Sequence, residues 1–109
     1  MTWRDAFAQQ AEGCAALGSP FTATLLDLIA TRGLPAGVVG DRIRSWPGDL
    51  SSRGSAVPLR LAGALHALVL EGRDPGLAVC YPPHPADQDA LWPAVAAALS
   101  AHAPFILDR

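Results

Sequence analysis

The chain has no lysine and no asparagine among its 109 residues, and only 17% of them are charged. Its eight basic residues are all arginine and are scattered along the sequence. With a net charge of -2, there is no clustered positive field of the kind that attracts nucleic acid or an anionic membrane. Two cysteines, Cys14 and Cys80, read as small apolar side chains in a reducing compartment rather than as a disulfide. The longest apolar stretch, residues 61–70, is broken by His66 and falls short of the ~20 residues a membrane span needs. No apolar leader follows Met1, so the expected location is the cytoplasm. A second domain is excluded by length, and one domain over residues 1–109 is expected.

What is present is apolar surface and helix punctuation. Half of the residues are hydrophobic, enough to offset the entropy lost on folding. Ten prolines and ten glycines recur in a fixed order: a small polar cap, a proline in the first turn, and a glycine after the last turn. Strand signals are missing. The pattern predicts an all-α, compact bundle of about five to six short helices with irregular crossing angles and no sheet.

Thr2 and Asp5 form a capping box for a first helix that Gly18 closes, with Trp3, Phe7, Ala11, Cys14 and Leu17 on one face and Gln10 among them. Ser19 and Pro20 open a second helix with Phe21, Leu25, Leu28 and Ile29 inward. A weaker helix is expected near residues 36–46, followed by an exposed, mobile, protease-sensitive loop at 49–56. Pro58 opens the most apolar helix, expected to be central, with Arg60, Ala64, Ala67 and Glu71 on its outer stripe. Asp74 and Pro75 open a short helix carrying Leu77, Val79, Cys80 and Tyr81. Asp87 or Asp89 caps a last full helix that Pro104 ends, and the final apolar residues look like a turn cut off before it can cap.

Motifs that would name a reaction are absent: there is no phosphate loop, dinucleotide fingerprint, HExxH pair, nucleophile elbow or CxxC. The spacing of Cys80 and His84 passes through two prolines and lacks further ligands, so no metal and no cofactor are expected. His66 is the most informative titratable residue. On an apolar helix its charge is disfavoured, and it reads as a core histidine bonded to a backbone carbonyl or to Gln10. Arg60 reads as part of a solvated stripe, and Trp3, Trp46, Trp92 and Tyr81 as core aromatics rather than a paved groove. His66, Arg60, Tyr81 and Gln10 are the candidates for a polar site, functional or structural.

Leu17-Gly18-Ser19-Pro20-Phe21, then Pro58-Leu59-Arg60-Leu61 through Leu65-His66 to Leu70, then Gly72, Pro75 and Tyr81-Pro82, resemble the start of the bacterial family known as domain of unknown function 2332. An absence of lysine beside abundant alanine, glycine, proline and arginine agrees with the coding bias of a GC-rich bacterium. The resemblance implies a longer architecture, with a later glycine-rich segment that looks like a methyltransferase-type cofactor loop. It also implies that this chain is a truncated or divergent short member. The expectation is a helical N-terminal module that packs on a larger domain, exposing an apolar patch over residues 91–107 and self-associating. The alternative is a free-standing small-ligand or protein-interaction module. An enzyme built on His66 is disfavoured, since no carboxylate or nucleophile lies at helical spacing from it.

Overall fold

The computed structural model of the chain describes residues 2–50, 56–84 and 87–108. Among these, seven helices and no strand are found: α1 (Trp3–Ala16), α2 (Pro20–Arg32), α3 (Val38–Arg44), α4 (Val57–Leu70), α5 (Pro75–Ala78), α6 (Gln88–Ala101) and α7 (Ala103–Leu107). Most of the loop expected at 49–56 lies outside the described residues.

Local chemistry sets the helix ends. The Thr2 hydroxyl accepts from the Asp5 N–H at 3.2 Å while the Asp5 carboxylate accepts from the Thr2 N–H at 2.9 Å, closing both halves of the capping box. At the other end of α1, Gly18 takes φ +82°. That conformation lets Ser19 N–H reach Cys14 O at 2.8 Å and Gly18 N–H reach Ala15 O at 3.2 Å, the paired bonds of a Schellman stop. Gly72 repeats the device after α4, with Arg73 N–H on Leu68 O at 2.8 Å. Of the two candidate caps for α6, Asp87 is the one used: its carboxylate accepts the Asp89 N–H at 3.0 Å.

Helix α4 is central as expected, packing against α1, α2, α5 and α7. Leu65 and Leu68 on it are fully buried, beside Phe7 of α1, Leu25, Leu26 and Ile29 of α2, and Val95 of α6. Burying these six aliphatic side chains contributes on the order of 10 kcal/mol before entropy is subtracted.

Several expected faces are corrected. Ala64 is buried rather than on an outer stripe, because α4 has neighbours on several sides and a small residue permits close approach. Leu17 is 85% exposed because α1 ends at Ala16, and Val79 is exposed because α5 ends at Ala78. The tail does not stop half-formed. Pro104 lies in the first turn of α7, and the Asp108 N–H closes that helix on Pro104 O at 3.2 Å. The apolar patch expected over residues 91–107 is mostly core: Leu91, Val95, Ala98, Leu99 and Ile106 are buried, and Leu107 is at the surface.

One carboxylate joins the later helices. Asp74 Oδ1 accepts the Leu77 N–H at 3.0 Å, capping α5, while Asp74 Oδ2 lies 3.1 Å from Nε2 of His102 at the junction of α6 and α7.

Candidate functional site

Two half-buried aromatic neighbourhoods stand out, and they differ in whether their polar groups are satisfied. The first brings His66 and Tyr81 together. Pro20 starts α2 so that Thr22 sits in its first turn, facing His66 of α4. The Asp74 cap fixes α5, and a turn beyond it, Tyr81 N–H on Ala78 O at 3.1 Å, returns the phenol to α4. His66 Nδ1 then lies 2.8 Å from the Tyr81 hydroxyl and Nε2 lies 3.2 Å from the Thr22 hydroxyl. Phe21 covers the phenol ring at a centroid distance of 4.5 Å.

Burial dominates the electrostatics of this cluster. Desolvation holds the His66 imidazole below its ordinary pKa and pushes the Tyr81 phenol well above its own, so both are neutral near pH 7. A neutral imidazole has one donor and one acceptor. The more acidic hydroxyl and the shorter bond belong together, so the phenol donates to Nδ1 while Nε2–H donates to Thr22. Both ring nitrogens are then occupied. The partners expected from sequence, a carbonyl or Gln10, are replaced by two hydroxyls. Gln10 instead turns to Cys14 Sγ, 3.9 Å away on its own helix. Among the described residues, no buried side-chain polar atom lacks a partner.

The second neighbourhood is a cleft floored by Val39 and Ile43 of α3, Val57 and Leu61 of α4 and Ile106 of α7, with Trp46 and Leu107 at its side. The cleft has a volume of about 70 Å³ and is open to solvent on one side. Beyond Trp46 it opens onto a shallow shelf of about 420 Å³ bounded by Arg42, Ser45, Trp46 and Pro47. Two guanidinium groups lie over the indole ring, Arg42 at 5.6 Å and Arg60 at 5.8 Å from its centroid. Among the described residues, no carboxylate lines either space. An apolar floor with a cationic aromatic rim can hold an apolar group next to an anion.

Helix α3 is placed by an unusual contact. The Arg44 guanidinium donates to Leu34 O and Pro35 O, wrapping the chain before α3, and Gly40 sits against Pro35 O with no room for a side chain. The candidate residues from sequence thus divide. His66 and Tyr81 meet in one cluster, Arg60 joins the cleft, and Gln10 belongs to neither. Sequence reasoning missed Arg42, although its position four residues before Trp46 is the one available signal.

Both cysteines are free, and among the described residues no group of three or more histidine, cysteine, aspartate or glutamate side chains could hold a metal ion. No helix among them is long and apolar enough to cross a membrane. A family model described as an uncharacterized protein conserved in bacteria, DUF2332, matches residues 4–109. No curated protein and no solved structure matches the chain significantly.

Proposed function

The chain belongs to the DUF2332 family, and we propose that it acts there as a non-catalytic helical docking module. In this reading it packs, through the cleft between α3, α4 and α7, on a larger domain such as the glycine-rich, methyltransferase-like segment that the family resemblance implies. The observation that carries it is the cleft itself, where three helices present an apolar floor beside a cation. The His66 cluster offers no competing chemistry, since both imidazole nitrogens are bonded to hydroxyls and no carboxylate is hydrogen-bonded to the ring. A small-ligand module is the weaker reading. Ligand sites have volumes of roughly 300–1,000 Å³, whereas the cleft here is about 70 Å³ and three of the four shelf residues are exposed to solvent.

The test is association in trans. The later part of a longer family member, produced separately, is titrated into this chain and followed by calorimetry. A one-to-one complex weakened at least about tenfold by Trp46→Ala is expected, since a central aromatic anchor typically contributes 2 kcal/mol or more. Arg42→Glu, at an exposed position, provides a second variant that leaves the core untouched. Absence of any complex, or a complex indifferent to both substitutions, overturns the reading.

A further inference from the structure

We propose that the Trp46 cleft recognises a two-part feature in its partner: one aliphatic side chain for the apolar notch and, directly beside it, a carboxylate for Arg42. This rests on the docking reading above and specifies the chemistry of the segment that docks.

Size sets the first half. An apolar cavity of about 150 Å³ admits a benzene, and the notch here measures about 70 Å³. A volume of that size matches the end of one branched aliphatic side chain. The shelf past Trp46 leaves room for the main chain that carries this anchor.

The partners of the arginines set the second half. Arg4 donates to Ala30 O at 2.6 Å, Arg32 meets Asp89 at 3.3 Å, and Arg73 meets Glu71 at 3.1 Å. Arg44 is held by Asp41 and two carbonyls, and Arg60 has a further partner besides the indole. Arg42 alone has neither a carboxylate nor a carbonyl acceptor among the described residues; its contact is the face of Trp46. Asp41, its neighbour in sequence, is occupied by Arg44. Resting on the indole holds the Arg42 guanidinium near one position, so less side-chain entropy remains to be lost on binding. Its N–H edges stay available for a two-pronged bond to a carboxylate, and the neighbouring apolar wall strengthens that bond by excluding water. A lysine would supply the charge without the fork or the stacking.

The experiment is an NMR titration of the isotopically labelled chain with short capped peptides: Gly-Leu-Asp-Gly, Gly-Leu-Asn-Gly and Gly-Ala-Asp-Gly, with acetate as the bare anion. The Leu-Asp peptide should shift the Trp46 indole N–H and the Leu107 signals with an affinity on the order of millimolar. Replacing either half of the motif should weaken binding about tenfold, and Arg42→Gln should make the Leu-Asp and Leu-Asn peptides equal, while Arg42→Lys restores only part of the preference. Equal binding of Leu-Asp and Leu-Asn by the natural chain, no shift at Trp46, or acetate matching the peptide would each overturn the proposal. Should the complex in trans form and depend on Trp46 while the peptides fail, the docking reading stands and this chemistry falls. Should the complex not form, the docking reading itself fails.

Discussion

Tyr81 and Trp46 are both half-buried aromatics packed against the same core, yet their polar neighbours have opposite fates. Around Tyr81 the folded chain supplies every partner from within: phenol to imidazole, imidazole to the Thr22 hydroxyl. Around Trp46 it leaves the Arg42 fork without an acceptor among the described residues, above a small cleft whose floor residues are themselves buried core. A buried polar group that is satisfied on folding contributes to stability and specificity of the fold. A preorganised one without a partner contributes little to folding and is available for binding. The comparison predicts that disturbing the first region changes stability without changing recognition, and that disturbing the second does the reverse.

The largest effect should come from pushing α3, which carries Val39 and Ile43 of the cleft floor, away from Pro35. At most helical sites Gly→Ala gains up to about 1 kcal/mol from helix propensity. At Gly40 the added methyl group would collide with the Pro35 carbonyl and meet the Arg44 guanidinium. Backbone cannot swing aside as a side-chain end can, so Gly40→Ala should lose about 2–3 kcal/mol and lower the thermal midpoint by on the order of 10 °C. Gly63 on α4 is the control, having nothing within 4 Å of the added atom. Gly63→Ala should stabilise by about 0.5–1 kcal/mol. Thermal unfolding followed by circular dichroism checks both, and a stabilised Gly40→Ala would refute the close approach of α3 to Pro35.

A smaller loss, about 1–2 kcal/mol, is expected for Tyr81→Phe. The ring contact with Phe21 survives, but His66 Nδ1 is left half-buried without its donor. Denaturant unfolding measures the loss, and peptide binding at the cleft should be unchanged. The same cluster sets a pH dependence. An unfolded chain takes a proton on His66 near the ordinary value of 6.5, while burial makes the folded chain resist it. Stability is therefore complete above about pH 6.5, falls as the pH drops through it, and levels off only below the depressed folded pKa. Tyr81 mirrors this at the alkaline end. Above its ordinary value of 10.0 the unfolded chain loses a proton that the folded chain keeps, so stability falls as pH rises. In His66→Gln the acid-side slope should shrink; a slope that persists would locate the titrating group elsewhere.

Helix ends are legible from sequence because capping is local chemistry: Thr2 with Asp5 and Asp74 before Pro75 lie within a few residues of the N–H groups they serve, whereas Ser19 makes no side-chain cap bond and α2 is started by Pro20 alone. Faces are less legible. A helical wheel assumes one buried side, and Ala64 fails that assumption because α4 is surrounded. Leu17 and Val79 fail it because their helices stop one residue earlier. His66 is conspicuous on its apolar helix, but its partners stand 15 and 44 residues away and only the packing of α2 and α5 on α4 brings them within reach. Arg42 is the least legible of all. What distinguishes it is the lack of an acceptor among the described residues, and a lack of that kind shows only once the other described arginines have been placed against theirs.

That same property makes Arg42→Gln the variant with the smallest expected effect on the fold. The side chain is exposed and, among the described residues, its one polar interaction is with the indole face, and an exposed cation–π contact is worth about 0.5–1 kcal/mol. Part of that is regained because a glutamine amide can also rest on the ring, so unfolding free energy should move by no more than about 0.5 kcal/mol. Recognition of the carboxylate-bearing peptide should nevertheless be lost. Set beside Tyr81→Phe, the two variants form a crossed pair: one loses stability and keeps binding, the other keeps stability and loses binding. If both lost the same property, the difference drawn between the two aromatic neighbourhoods would collapse, because Trp46 and Tyr81 would then belong to one coupled network through α4, on which His66 and Arg60 both lie.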